Sequence, residues 1–373
     1  MLKRVGRLLS RSVTAPPPAV GQTPAAVVHA ENEWRLLRYH ARPEGLAFRT
    51  PILLVPSLIN RHYVLDLMPG KSFVAWLVAR GHDVFIIDWG TPTDEDRYLT
   101  FDDICDRYLG RALRVTRRLG QSDDAHVLGY CLGGTLAAIY AAAHRSAGMK
   151  SLLTLAAPID FSDDGMLGAW TRVTTFDLEA LVAATGNVPW RLMQTAFHLL
   201  RPTMNLAKAV GVLDRAWDDP FLDGFFALET WSNDNVSFPG ACYARYISAL
   251  YRDNELVRGD FSLSGRPAAL ANIVCPTMVV SFAHDMIVPE ASARALHEHV
   301  GAGDRVHVHL PGGHVGAVVS RKASSGLWPQ LAAFWEARDG VSPRSVGLAA
   351  SPRRRPPVLA VGGDDQASLA AEH

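Results

Sequence analysis

The residues best suited to chemistry lie at Gly129-Tyr130-Cys131-Leu132-Gly133-Gly134, between an apolar run and a stretch of small, helix-favouring residues. Gly-x-Cys-x-Gly is the pattern of a strand-turn-helix elbow with a cysteine at its apex. Glycines two residues either side of the apex leave room for a turn that few side chains permit. Such a turn lifts the sulfur above the sheet edge. The start of the next helix offers N–H groups and a positive dipole end, which favour a thiolate and suit attack on an acyl carbonyl. The competing reading is a buried structural cysteine beside a glycine turn, so partners are needed. An elbow nucleophile takes an acid and then a histidine later in the chain. Asp285, in His284-Asp285-Met286-Ile287-Val288-Pro289, and His314, in Pro311-Gly312-Gly313-His314-Val315, come in that order, each at the exit of an expected strand. His284 is the competing histidine, but it precedes the acid and reads as a loop-surface residue; Asp160 is the competing acid, since it also follows a strand. Backbone N–H donors for a developing oxyanion are expected from Leu132 and from the loop Ser57-Leu58-Ile59-Asn60-Arg61, with Ile59 the best single choice.

The elements that would position these residues alternate in type. Pro51-Ile-Leu-Leu-Val-Pro56 reads as a strand buried on both faces, and Trp34 to Tyr39 as an edge strand. A helix over Ser72 to Arg80 closes at Gly81. A strand and its polar exit, His82 to Gly90, come next, then an amphipathic helix from the cap residue Thr100 to Leu119. The strand Ala125–Gly129, the elbow, a helix to about His144 and the strand Ser151–Ala156 continue the alternation. Strand and helix in turn mean a mostly parallel sheet with helices on both faces. The rhythm breaks after Phe161. From Ser162 to Pro267 the pattern is helical and aromatic, with no convincing strand, and reads as a helical cap inserted into the α/β core. Strands return at Pro276 to Phe282 and Arg305 to Leu310, and Ser324 to Arg338 reads as a last helix. The expected division is a leader over 1–30, a core over 31–161 and 268–338, a cap over 162–267 and a disordered tail over 339–373. The leader is basic and then Pro- and Ala-rich, without the apolar stretch of a secretory signal; it reads as disordered or as a short amphipathic helix. The tail carries Arg353-Arg354-Arg355, which reads as solvated charge.

Composition bounds the possibilities. Among 373 residues, 37 basic and 37 acidic side chains cancel, which argues against a general nucleic-acid binder. No stretch approaches the roughly 18 continuous apolar residues of a membrane span. The four cysteines, Cys105, Cys131, Cys242 and Cys275, are widely spaced without a C-x-x-C pair. They read as reduced thiols of a cytosolic chain, and no metal site is expected.

Several segments together resemble the polyhydroxyalkanoate synthases, most of all the short class III catalytic type. They are Val55 to Leu67, Gly81 to Gly90, Asp96 to Asp103, Gly129 to Gly134, Ala157 to Phe161, Asp285 to Pro289 and Gly312 to His314. The resemblance spans about Glu31 to Arg338 and leaves out both tails. It implies an α/β-hydrolase fold and a substrate that is an (R)-3-hydroxyacyl-coenzyme A, a short-chain unit such as 3-hydroxybutyryl being expected. It further implies acyl transfer through Cys131 with His314 and Asp285, a polyester product, and no cofactor beyond the coenzyme A the substrate carries. Also implied are a homodimer, a second synthase subunit and a place at the polyester granule surface in the cytoplasm. The same three residues would serve a thioesterase, a depolymerase or another acyltransferase. A granule protein without turnover is the non-enzymatic alternative, and the intact Cys131, Asp285 and His314 speak against it.

Overall fold

The computed structural model describes residues 18–163, 166–173, 176–199, 210–320, 322–339 and 341–344, together with Arg4 and Arg7. Its centre is an eight-stranded sheet built from β1 (Ala25–Glu31), β2 (Trp34–Tyr39), β4 (Ile52–Val55), β5 (Val84–Asp88), β6 (Ala125–Tyr130), β7 (Met149–Leu155), β10 (Thr277–Phe282) and β11 (Arg305–Leu310). The spatial order is β1-β2-β5-β4-β6-β7-β10-β11. From β5 to β11 every neighbouring pair is parallel, and β1 and β2 form an antiparallel hairpin on the β5 side. Every residue of β4, β6 and β10 is buried, as in strands covered on both faces. Period-2 alternation sorts these residues into two cores. Leu53, Val55, Phe85, Ile87 and Val127 join the core on one face, and Ile52, Leu54, Val84, Ile86 and Leu128 the core on the other.

The helices start and stop for local reasons. In Phe73–Arg80 the Ser72 hydroxyl accepts from the Ala75 N–H, and Gly81 closes the helix at φ 93°. Thr100 and Asp103 cap one another through paired side-chain and backbone bonds. From there a π-helical turn, Asp103–Tyr108, runs into the α-helix Leu109–Leu119.

The chain departs from the expected boundaries in three places. The leader does not last to residue 30, because β1 begins at Ala25 and makes β2 an interior strand. The register of this Ala-rich strand shifts between Val27 and His29, which breaks strict alternation and weakens its sequence pattern. Arg4 and Arg7 contact Asp214 and Asp219, and Arg7 lies 4.7 Å from the centre of the Trp217 ring; the rest of 1–17 falls outside the described residues. The helical insertion carries a small hairpin, β8 (Ser262–Leu263) with β9 (Arg266–Pro267). Its turn needs positive φ at Ser264 and Gly265, and two residues a side are too few to show a period. At the other end, the Asp339 carboxylate accepts from the Thr50 N–H and hydroxyl. Beyond it, β12 (Val341–Arg344) pairs with β3 (Leu46–Phe48). A tail starting at 339 is therefore corrected by at least five residues, and Arg353 to Arg355 lie outside those described.

Besides that hairpin, the described insertion between β7 and β10 includes the helices Met166–Arg172, Leu178–Thr185, Trp190–Leu199, Asp219–Asn233 and Gly240–Arg245, a π-helical turn Tyr246–Arg252 and the short helix Glu255–Arg258. Among the described residues no helix is long and apolar enough to cross a membrane.

The helix Leu132–Ala143 sits so close to β4 that a Cβ on Gly133 would lie 2.1 Å from the Val55 carbonyl oxygen and 2.5 Å from that of Pro56. Backbone cannot yield as a flexible side chain does. Gly133→Ala is expected to destabilise by about 3 kcal/mol or more in urea unfolding. Gly211→Ala, where nothing lies within 4 Å, should change stability by less than about 1 kcal/mol.

Candidate active site

Two strands at the centre of the sheet point their carboxyl ends at one crevice. The chain leaves β4 for β5 on one side and returns to β6 on the other, so β4 and β6 flank the switch in strand order, where open parallel sheets bind ligands. Cys131 comes directly after β6. Its N–H donates to the Leu155 carbonyl at 3.0 Å, and its own carbonyl accepts from the Gly134 N–H at 2.8 Å. The backbone there is left-handed, φ 54° and ψ −130°, a conformation that costs a non-glycine residue energy and that its surroundings must enforce. Enforcement comes from close packing: a Cβ on Gly129 would meet Gly134 Cα at 2.3 Å, and one on Gly134 would meet Ala157 Cβ at 2.4 Å. Leu132 is the first residue of the next helix.

The end of β10 supplies Asp285, whose side chain is fully enclosed. One carboxylate oxygen accepts from the N–H groups of Ile287 and Val288, both at 2.9 Å. The other faces His314 Nδ1 at 2.7 Å. The ring also interacts with the Cys131 side chain, through its charge and a hydrogen bond. The Tyr130 hydroxyl donates to the His314 carbonyl at 3.3 Å, and the two rings lie 5.4 Å apart. Asp285, His314 and Cys131 thus form one local group, in which Asp285 and His314 share a hydrogen bond and Cys131 acts on the same ring. His284 does not enter it; its side chain is exposed and its N–H bonds the Gly312 carbonyl. Nor does Asp160, which accepts from the Ser162 N–H and the Asn254 side chain.

Comparison with known proteins adds to this geometry. Residues 50–319 match the model of the alpha/beta hydrolase fold family, and residues 17–77 match that of the poly-beta-hydroxybutyrate polymerase (PhaC) N-terminus. The poly(3-hydroxyalkanoate) polymerase subunit PhaC of Allochromatium vinosum is 32% identical over 333 residues, covering 88% of this chain and 93% of that protein. The subunit of the same name from Haloarcula marismortui is 32% identical over 327 residues, covering 86% and 69%. The chain belongs to the poly(3-hydroxyalkanoate) polymerase family. Among solved structures, a putative lipase from Sulfolobus solfataricus superposes with a TM-score of 0.53 at 12% identity, over 87% of this chain and 99% of that one, a likeness of fold. The polymerase N-terminal match begins at residue 17, so the likeness reaches ahead of Glu31, the start expected from the sequence motifs.

Above the sulfur, this member of the polymerase family has a cavity of about 220 Å³. Cys131, Leu132 and Ile59 line its floor, and Trp170, Phe176, Leu192 and Phe238 of the insertion line its walls. Three kinds of residue here are not evident in the sequence. Tyr246 and Tyr251 also line the cavity and hydrogen-bond to one another. Five residues apart, they would diverge on an α-helix; the π-helical turn, with its i→i+5 closure, brings them near one face. Tyr130, in sequence, is only a spacer within the elbow. The third kind is a clamp on the Ile59 loop. Asp234 accepts from Arg61 at 3.0 Å and from the Tyr63 hydroxyl at 2.8 Å. The Val236 N–H donates to the Ile59 carbonyl, Trp231 Nε1 donates to the Arg61 carbonyl, and Asn60 bonds Asn235. Only Trp231, among the insertion's aromatics, hints at this contact.

Burial by itself would favour a neutral His314. The charge of a thiolate at Cys131, with the hydrogen bonds to Asp285 and Cys131, outweighs it and pushes the imidazole up to about 10. A folded-state pKa above that of a free imidazole means that the charge stabilises fully below about pH 6.5, and that this stabilisation is lost as pH rises toward 10. Histidine-selective NMR should therefore find His314 protonated through neutral pH. In Cys131→Ala the same resonance should titrate at clearly lower pH. Identical titration in the two proteins would mean that the sulfur does not set the charge of the ring.

Proposed function

We propose that this chain polymerises (R)-3-hydroxyacyl groups from coenzyme A thioesters, through an acyl group carried on Cys131. The observation that carries this reading is a cysteine at the floor of an apolar cavity, beside a part-buried His–Asp pair, in a member of the polymerase family.

The charges suggest how one site serves two half-reactions. His314 takes the proton of the Cys131 thiol, and the thiolate and imidazolium so formed stabilise one another. The sulfur attacks the thioester carbonyl, and the N–H groups of Leu132 and Ile59 receive the oxyanion. As the tetrahedral intermediate collapses, the bond to coenzyme A sulfur breaks and His314 gives its proton to that sulfur. Acylation removes the charge on Cys131, the leading cause that raised the imidazole. The now neutral His314 is free to take the proton of the 3-hydroxyl on another hydroxyacyl unit as its oxygen attacks the acyl-cysteine. An ester bond forms, the bond to Cys131 breaks, and thiolate and imidazolium return. Thioester exchanged for thioester is nearly balanced in energy, so the cycle repeats readily. Water in the cavity would divert the acyl group to hydrolysis, and the apolar walls disfavour it.

A homodimer, a second synthase subunit and a position at the granule surface belong to the same reading. Their support is the likeness to relatives that are themselves named polymerase subunits.

With 3-hydroxybutyryl-coenzyme A, the chain alone or with a candidate partner subunit should release free thiol and form polymer in step. Free hydroxy acid as the sole product would establish hydrolysis instead. Asp285→Asn should impair elongation more than first acylation. In acylation the imidazolium faces the Cys131 thiolate as well as Asp285, whereas elongation creates an imidazolium beside an acylated, uncharged sulfur, with Asp285 to stabilise it. Rapid-quench measurement of acyl-enzyme and polymer separates the steps, and equal losses would reduce Asp285 to orienting the ring.

A further inference from the structure

One cluster of ligating side chains lies apart from the cysteine. On β11, His307 and His309 are two residues apart and project to the same face, toward the helix Glu290–His299. One donor atom from each of Glu290, His307 and His309 lies within 4.8 Å of the others. His307 is half-buried, and Glu290 and His309 are exposed.

The two imidazoles are oriented by a single buried hydroxyl. Ser281, on the neighbouring strand β10, meets His307 Nε2 and His309 Nδ1, both at 2.8 Å. With its two lone pairs the hydroxyl oxygen can accept from both rings, the state in which His307 Nδ1 and His309 Nε2 both keep a lone pair for a metal; where it donates to one ring instead, the outer nitrogen of that ring carries a proton that the metal must displace. His309 Nε2 faces a Glu290 carboxylate oxygen at 3.9 Å, too far for a hydrogen bond. Two ligands of one tetrahedral ion stand about 3.4 Å apart, given metal–ligand lengths of about 2.0–2.2 Å. A small rotation of the exposed Glu290 side chain closes that difference. Neighbouring charges are few: Arg294 lies 3.8 Å from the other Glu290 oxygen and is drawn to Glu298 at 2.8 Å, and the His297 ring stands 6.0 Å from that of His307.

We propose that Glu290, His307 and His309 bind a divalent transition-metal ion of the zinc, cobalt or nickel kind, with Ser281 as the positioning residue behind the two imidazoles. Two imidazoles and one carboxylate suit such borderline ions and not magnesium or calcium, which take all-oxygen sites. The place gives the ion a structural task. Glu290 comes five residues after Asp285, and His309 five before His314. A bound ion joins the edge strand β11 to the first turn of the helix, and so ties together the roots of the two segments that carry the acid and the base.

Cobalt(II) added to the metal-free full chain tests this, read by its visible d–d absorption and by equilibrium dialysis. The parent should bind one ion that His307→Gln/His309→Gln loses, so that bound cobalt falls by one per chain. Glu290→Gln and Ser281→Ala should each weaken binding about tenfold or more. Saturating zinc should raise the melting temperature of the parent by a few degrees, magnesium should not, and the double variant should show no rise. The exposed His309 and Glu290 make loss of folding an improper explanation for lost binding, and the melting temperature without metal verifies this. No saturable binding at millimolar cobalt, or unchanged stoichiometry in the double variant, overturns the proposal.

Discussion

A sulfur held on a left-handed turn stays there only if the chain behind it has nowhere else to go. Cys131 adopts φ 54° because β6 ends against Leu155 while the next helix begins in contact with Val55 and Pro56. Glycine at 129, 133 and 134 makes those approaches possible, and each position would place a Cβ within 2.4 Å of another atom. The turn's strain is met by the packing of two all-buried strands and an all-but-buried helix. The rest of the site inherits its geometry from this contact. The same approach that leaves no room at Gly133 sets the start of the helix, and with it the Leu132 N–H, beside the loop that leaves β4.

The His314–Asp285 pair depends on that placement in turn. Asp285 is fully enclosed and is satisfied on one oxygen by two backbone N–H groups, which leaves the other for a single fixed partner. A buried carboxylate held this way is an inflexible anchor, so the imidazole responds mainly to what changes, the charge on the sulfur. In the cycle proposed above, this is a physical reason for one histidine to serve as acid in one half and base in the next.

Much of this is legible in the sequence because it rests on local constraints. The apolar run at Ile52 to Val55, the glycines around Cys131, and Asp285 and His314 at strand exits all state their roles within a few residues. The features that escape sequence reading depend on contacts between distant segments. The strand Ala25–Glu31 exists because β2 offers it a partner, not because its own pattern demands a strand. Asp339 belongs to the fold through Thr50, nearly three hundred residues away. Tyr246 and Tyr251 share the cavity only through a π-helical turn, which side-chain period does not announce. His307-x-His309 alternates as any strand does; its convergence on Ser281 is a matter of register between β10 and β11, where Ser281 pairs with His309.

The same distinction alters how the helical insertion should be understood. Its aromatic richness in sequence reads as a cover over the cysteine, and its side chains do wall the cavity. Yet its polar residues reach further. Asp234, Asn235 and Val236, just beyond the helix Asp219–Asn233, hold Arg61, Tyr63, Asn60 and Ile59. The loop after β4 therefore takes its shape from the insertion as much as from the sheet. An insertion that shifted as a simple lid would carry these bonds with it and disturb the Ile59 N–H beneath. Cover and the loop after β4 are thus held together by these bonds, and a change in one is transmitted to the other.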